Sequence, residues 1–109
     1  LGDVYKRQTL EGFIFIEAGD IIRFESKGTY TSIYTSNGKK IISSKNIGEY
    51  EQQTGMPFFR IHHSHLINLN KMQRYVKGRG GTVIMEDGTH IEVASRRRND
   101  FIHLFNQNS

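Results

Sequence analysis

Three consecutive arginines, Arg96, Arg97 and Arg98, open a predicted helix near the end of the chain. Cations in the first turn of a helix oppose the positive end of the helix dipole, at a cost of about 0.3–1 kcal/mol each. A bound phosphate would reverse that effect, because the free backbone N–H groups and the guanidinium groups would then face the same anion. The arginine run therefore indicates contact with nucleic acid. The alternative is that the arginines extend into water or pair with Glu86 or Glu92.

A second group of polar side chains lies in the segment FFRIHHSHLIN, residues 58–68, which is otherwise suited to a buried strand. Alternation along a strand separates His62 from its neighbour His63, although a bend near His63 would change the face that each one takes. An imidazole and a hydroxyl at the mouth of a strand or turn, such as His63 and Ser64, can bond phosphates or base edges. The alternative role is a buried histidine that is hydrogen-bonded within the fold.

Zinc binding is the competing chemistry for the histidines, since two residues apart on a strand is a usable ligand spacing. The sequence has no Cys and no HExxH pattern, and His90 and His103 lie in separate predicted elements. It also has no nucleophile elbow, no phosphate-binding loop before a helix and no paired-carboxylate pattern. We therefore predict no catalytic residue, no metal and no cofactor, and a protein that is not an enzyme.

Two further segments carry basic side chains next to predicted turns. Lys27 precedes a run of hydroxyl-bearing residues that includes Tyr30, which could bind phosphate or could simply reflect the β propensity of Thr and Tyr. Lys77 and Arg79 flank glycines in a predicted hairpin loop, which could touch a phosphate backbone or remain solvated. Neither segment decides between these roles on its own.

The elements that would position these residues form one small domain. A chain of 109 residues suits a single core, and the hydrophobic share of 36% allows that core to form in water. Fifteen Lys and Arg against eleven Asp and Glu give a net charge of +4, which favours an anionic partner. No apolar run approaches the roughly 18–20 residues of a membrane span, and we expect a cytoplasmic protein.

Short β-prone stretches between glycine-rich turns predict a mainly β domain over residues 9–109. Residues 1–8 have no clear period, and we expect them to be a linker or a segment foreign to the domain. Ser44 is predicted to cap a helix over 45–53, and Ser95 a helix over 96–105. The predicted strands are Leu10–Ile16, Ile21–Ser26, Thr29–Thr35, Lys39–Ser43, Phe59–Ile67, Met72–Val76, Thr82–Met85 and His90–Val93.

Taken in order, several segments resemble the LytTR family of DNA-binding domains. They are DIIRFES, YTSIYT with a following Gly-Lys-Lys turn, PFFRIHHSHLINLNKM, VIMEDG and IEVASRRRNDF, and the resemblance covers about residues 13–105. It implies an elongated, mainly β fold of small antiparallel sheets with two short helices, whose loops enter successive major grooves of duplex DNA. The base-contacting positions of the family would fall at Tyr30, His63 and Arg97. Phosphate contacts would then come from Lys27, Arg60, Ser64, Lys71, Arg96 and Arg98.

The resemblance also implies a setting, that of a transcription regulator in a two-component system. Members of the family typically lie behind a phosphorylatable receiver domain and bind paired DNA sites as dimers. We expect this chain to be a monomer in solution, because it carries no receiver and offers no long apolar stripe. The alternative function is that of a β-rich module that binds RNA or another protein.

The number of basic contacts predicts a strong dependence of DNA affinity on salt. Roughly 4–7 phosphate contacts should give a slope of about −4 to −6 in a plot of log affinity against log salt concentration. Fluorescence anisotropy with a labelled duplex over a series of KCl concentrations measures this slope. A slope near zero would contradict an electrostatic interaction with the DNA backbone.

Overall fold

The computed structural model describes residues 4–9 and 12–106, which form three antiparallel sheets and two α-helices. The order along the chain is β1 (Val4–Thr9), β2 (Gly12–Glu17), β3 (Ile21–Lys27), β4 (Tyr30–Thr35), β5 (Lys40–Ser43), α1 (Ile47–Gln53), β6 (Phe58–His62), β7 (His65–Asn68), β8 (Met72–Val76), β9 (Thr82–Met85), β10 (His90–Glu92) and α2 (Ser95–Asn106). The mainly β fold of small antiparallel sheets with two helices is therefore confirmed.

The largest sheet, here called the central sheet, has the strand order β5-β4-β3-β7-β6. Strands β8, β9 and β10 form a smaller sheet, and β1 pairs with β2. The described chain is elongated, with principal extents of 45 × 32 × 25 Å. The central sheet thus provides the frame to which the other elements attach.

The middle strands of the central sheet are buried on both faces: successive residues alternate between the faces, and Ile21–Phe24 and Leu66–Asn68 are buried throughout. Phe24 pairs with Leu66, and both lie in a core beneath α1, whereas Ile67 lies in a second core beneath the small sheet and α2. The first core comprises Ile16, Ile21, Phe24, Ile33, Ile47, Tyr50, Phe58 and Leu66. The second comprises Ile22, Ile61, Ile67, Val83, Met85, Ile91, Val93 and Phe101.

Helix α1 begins two residues later than predicted, and the prediction that Ser44 caps it is wrong. Asn46 is the cap: its side chain accepts the Glu49 N–H at 2.9 Å, and the Glu49 carboxylate accepts the Asn46 N–H at 3.0 Å. This reciprocal pair satisfies two backbone donors that a lone serine would leave partly unpaired. Ile47 and Tyr50 are buried, as their spacing on one helix face predicted.

The predicted strand over 59–67 is wrong, since the structure divides it into β6 and β7 with a tight turn at His63 and Ser64. The apolar pattern continues through the turn, because both strands face the same cores. The turn is held by side chains: the Ser64 N–H donates to Nδ1 of His62, and the Arg60 guanidinium donates to the carbonyls of His62 and His63.

The two ends of the described chain bear on two further predictions. Residues 4–8 lie in β1, which pairs with β2 in register from Val4–Glu17 to Thr9–Gly12. That residues 1–8 are a linker or a segment foreign to the domain stays a prediction. Residues 1–3, and Leu10 at the predicted start of the first strand, lie outside the described residues. Helix α2 begins at Ser95 itself, which places this residue in the first turn instead of at the cap before it.

Phe101 should be the residue of α2 on which its packing depends most. Its side chain is fully buried, with ring centroids 6.0 Å from Phe59 and 5.3 Å from Tyr75. We expect Phe101→Ala to lower the free energy of unfolding by about 3–5 kcal/mol in urea denaturation. Phe105→Ala is the matched control, because that ring is 39% exposed and its loss should cost much less. Equal losses for the two variants would contradict this description of the second core.

Candidate nucleic-acid interface

Two turns lie side by side at one edge of the central sheet. The register pairs Glu25 with His65, so the β3–β4 turn and the β6–β7 turn leave the sheet at the same end. A backbone hydrogen bond of 2.9 Å from the Ser26 N–H to the Ser64 carbonyl joins them. We call this edge, formed by residues 27–30 and 62–64, the turn edge.

The start of α2 reaches the same edge. The Ala94 N–H donates to the carbonyl of Ile61 at 3.0 Å. Ile61 lies in β6, two residues before His63 of the turn. The Arg97 N–H donates to the Ala94 carbonyl at 2.8 Å and closes the first turn of the helix. The arginine run therefore starts beside the β6–β7 turn, although about thirty residues separate the two segments in the sequence.

The three arginines differ in what they contact. Arg96 is exposed and Arg97 is half-buried, and neither guanidinium has a hydrogen bond or ion pair within the described part of the chain. Arg98 Nε donates to the Gly80 carbonyl at 2.8 Å. In the alternative considered above, these arginines would pair with Glu86 or Glu92. Glu86 instead has Lys71 as its partner, with 3.8 Å between Nζ and Oε1.

Arg98 holds a glycine-rich loop, residues 78–81, against the start of α2. The loop turns sharply, with φ values of +119° at Gly78 and +92° at Gly80, and the Gly81 carbonyl accepts the Val93 N–H at 3.1 Å. The basic side chain of Arg79 at the tip is exposed. The sequence predicts a hairpin loop here, and the long-range contacts of Gly80 with Arg98 and of Gly81 with Val93 show that the loop borders the arginine run.

The β3–β4 turn presents Tyr30, whose side chain is 53% exposed. Lys27, which pairs with Tyr30 in the strand register, extends over Glu25 with 2.8 Å between Nζ and Oε2. Burial alone would raise the pKa of Glu25, but hydrogen bonds from Lys27 and Arg23 lower it. The hydrogen bond with Glu25 in turn raises the pKa of Lys27, which therefore stays cationic.

The β6–β7 turn presents His63, which is exposed at its tip. His62 lies behind it, and because Nδ1 of His62 accepts the Ser64 N–H at 3.0 Å, a neutral ring carries its proton on Nε2. Ser64 is half-buried, and both its backbone N–H and its carbonyl are used to hold the turn. His62 is thus a support for the turn, which its position next to His63 in the sequence did not reveal.

Arg60 bonds groups of the protein itself, and the phosphate contact suggested for it stays a prediction. Its side chain is only 11% exposed, and Nη1 lies 2.7 Å from Oε1 of Glu51 in α1. Nε donates to the carbonyls of His62 and His63 at 3.1 and 3.2 Å, and Nη2 also donates to the His63 carbonyl. The contribution of Glu51 was missed, because nothing in its sequence context marks a partner nine residues away.

Lys71 is not brought to the turn edge. It ends the short 3₁₀ turn Leu69–Lys71 that follows β7, at the opposite end of that strand. The side chain of Asn68 donates to the Ile21 carbonyl at the start of β3 and fixes this opposite end. The phosphate contact suggested for Lys71 therefore stays a prediction, and it is separated from the other predicted contacts.

Two other features of the described residues bear on the choice of function. No group of three or more His, Asp or Glu side chains within residues 15–106 is placed to hold a metal ion. None of the helices in the same part of the chain is long and apolar enough to cross a membrane.

Comparison with known proteins adds two findings. The model of the LytTr DNA-binding domain family matches residues 11–106. Among solved structures, the chain is similar to the LytTr DNA-binding domain of a Bacillus cereus protein described as a methyl-accepting/DNA response regulator, with a TM-score of 0.80 at 19% identity over 94% of this chain and 95% of that one. No curated protein sequence matches closely enough to add a functional assignment.

The half-buried ring of His65 predicts a stability change with pH. Its Nδ1 has no hydrogen-bond partner among the described residues, and the ring lies 5.4 Å from that of His62. Burial lowers the pKa of His65 below its ordinary 6.5, although Glu25 opposes the shift. The unfolded chain therefore takes up the proton first, so this contribution to stability is complete above about pH 6.5 and decreases as the pH falls.

Denaturant unfolding at intervals between pH 7.5 and 5 measures this effect. The free energy of unfolding should fall by up to about 1.4 kcal/mol per pH unit per proton in this range, and the fall should be smaller in His65→Gln. His90→Gln, at an exposed position, is the control and should keep the wild-type slope. If His65→Gln keeps it as well, the burial of His65 is not its origin.

Proposed function

The chain belongs to the LytTr DNA-binding domain family, and on that premise we propose that it binds specific duplex DNA sequences as the output domain of a bacterial transcription regulator. The family is one of DNA-binding domains and not of enzymes. The observation that carries the proposal is that the segments bearing Tyr30, His63 and Arg97 lie along one edge of the molecule. They come from three separate elements, joined there by the Ser26–Ser64 and Ala94–Ile61 backbone hydrogen bonds.

In this proposal Arg97 reads a base. Its guanidinium has no partner within the described residues, and its planar fork matches O6 and N7 of guanine in the major groove. His63 and Tyr30 are exposed at the tips of their turns and can each bond a single base-edge atom. The turns and the start of α2 would enter successive major grooves, which suits an elongated domain without a long recognition helix.

The remaining basic groups would hold the DNA backbone without reading its sequence. Arg96 is the strongest candidate, because it is exposed next to Arg97 and has no partner within the described residues. Lys27 and Ser64 belong to the turn edge, and Arg98 bonds the glycine-rich loop that carries Arg79. Contacts of this kind would add affinity for every duplex and would make it depend on salt.

The biological setting proposed here follows the family. The domain would act in the cytoplasm behind a receiver domain of a two-component system, and it would occupy paired DNA sites as a dimer. Without a receiver, it would be a monomer in solution. Binding to RNA or to a protein is the alternative that the experiment must separate from this proposal.

Selection of bound sequences from a random duplex pool, followed by competition, tests the function. The proposal predicts an enriched sequence that random duplex and single-stranded RNA displace only at much higher concentration, in keeping with the about 10³-fold or greater preference of specific DNA-binding proteins. Failure to enrich any sequence would contradict the proposal. Tighter binding of the RNA would favour the alternative.

Neighbouring arginines of the same charge allow base reading to be separated from phosphate contact. Arg97→Ala should weaken binding to the selected duplex by about 1–3 kcal/mol and affect random duplex much less, because a bidentate guanine contact is lost. Arg96→Ala should instead weaken both duplexes by a similar factor and reduce the salt slope by about one unit. Titration of both duplexes at several salt concentrations measures the difference.

Two controls define this result. Arg97→Lys keeps the charge but loses the two-pronged geometry, so it should recover affinity for random duplex without recovering the full preference for the selected one. Thermal melting of each variant must match the wild type. If Arg97→Ala folds normally and loses both duplexes by the same factor, the base-reading role is wrong.

A further inference from the structure

We propose that Arg60 and Glu51 are positioning residues for DNA recognition: their ion pair sets the geometry of the β6–β7 turn and thereby aims His63. The inference rests on the proposed function, since it concerns how the turn edge is presented to DNA. It replaces the direct phosphate contact that the sequence suggested for Arg60. It also gives a role to α1, an element that does not itself lie at the turn edge.

The guanidinium of Arg60 is arranged to hold the turn in place and not to bind a ligand. One guanidinium bonds the Glu51 carboxylate and the carbonyls of His62 and His63 at the same time. Only 11% of its side chain is exposed, against 40% for Glu51. A planar fork with several fixed donors can hold three acceptors at once, whereas an ammonium group on a flexible stem holds them less rigidly.

Two other backbone groups of the turn are held as well. The Ser64 N–H is bonded by the His62 ring, and the Ser64 carbonyl accepts the Ser26 N–H of β3. Arg60 adds a further restraint, on the carbonyls of His62 and His63. Without it those carbonyls would have to turn towards water, and the backbone that carries the His63 side chain would rotate with them.

Whether removal of the Glu51 carboxylate raises or lowers the affinity for DNA tests the proposal. If basic and acidic groups near the turn acted on DNA only through their charge, removing a carboxylate would strengthen binding to every duplex. If Glu51 acts by holding Arg60, the same change must weaken binding to the selected sequence. Glu49→Gln is the matched control, because it removes a carboxylate from the same helix while glutamine can still complete the helix cap.

The experiment compares the full chain with its Glu51→Gln, Arg60→Gln, Arg60→Lys and Glu49→Gln variants on selected and random duplexes at several salt concentrations. We expect Glu51→Gln and Arg60→Gln to lose about 5- to 100-fold in affinity for the selected duplex, the range of one misaligned base contact. Random duplex should change by less than about threefold, and the salt slope should stay constant. Arg60→Lys should resemble Arg60→Gln, and Glu49→Gln should resemble the wild type.

A coupling measurement completes the test. The double variant with both Glu51→Gln and Arg60→Gln should bind the selected duplex no more weakly than Arg60→Gln alone, because both changes release the same turn. Thermal melting identifies variants that fail to fold. If the Arg60 variants fail to fold, Glu51→Gln still tests the inference, because the Glu51 side chain is 40% exposed and its substitution should leave the fold intact.

Two results would overturn the inference while leaving the proposed function intact. In one, Glu51→Gln strengthens binding to both duplexes and Arg60→Gln lowers the salt slope by about one unit, which would make Arg60 a phosphate contact. In the other, folded Glu51→Gln keeps the full preference for the selected duplex. If the wild type itself shows no preference for any duplex, the proposed function is wrong and the inference fails with it.

Discussion

The buried cation of Arg23 joins the two halves of the molecule. Arg23 is only 6% exposed. Its guanidinium bonds the carboxylates of Glu25 at 2.7 Å and of Asp87, in the β9–β10 turn, at 3.3 Å. It also lies 3.8 Å from the centre of the Tyr34 ring. A charge inside a protein is tolerated only when it is paired, so this arginine fixes the small sheet to the central one. Burial would raise the pKa of Asp87, but the Thr89 backbone and Arg23 lower it, which keeps the pair charged.

The same network extends to the turn edge. Glu25 bonds Arg23 on one side and Lys27 on the other, so ionic contacts run along β3 from the small sheet to the β3–β4 turn. Because β3 and β7 are buried on both faces from Ile21 to Phe24 and from Leu66 to Asn68, the middle of the central sheet offers no open face for a ligand. What remains accessible is the end of the sheet, where rigid strands present short turns beside the start of α2. The proposed recognition surface is accordingly one of short turns on a rigid frame.

The sequence allowed the fold class and most strands to be predicted, because local alternation and glycine turns determine them. The arginine run was also recognisable, since charge at a helix start is a local signal. The capping box of α1 could have been found, because Glu49 follows Asn46 at the required spacing of three residues. Ser44 was favoured instead, as it is an equally good cap when considered alone.

Other features depend on contacts between distant residues. The β6–β7 turn interrupts an unbroken apolar pattern, and it exists because Arg60, His62 and Glu51 supply bonds that no local pattern reveals. For the same reason, the sequence does not reveal that Arg60 bonds Glu51 or that the glycine-rich loop packs beside Arg98. Residue type predicted which groups could bind DNA, whereas the packing of α1 and α2 determines which of them are available.

Methylation interference on a selected duplex tests the central claim, that exposed groups at the turn edge and the start of α2 read DNA from the major groove. Methyl groups at N7 of guanine lie in the major groove, and those at N3 of adenine lie in the minor groove. The account predicts that N7 methylation of particular guanines, recurring at the spacing of the successive grooves, prevents binding and that N3 methylation does not. Binding that tolerates N7 methylation at every guanine but is lost on N3 methylation would contradict it.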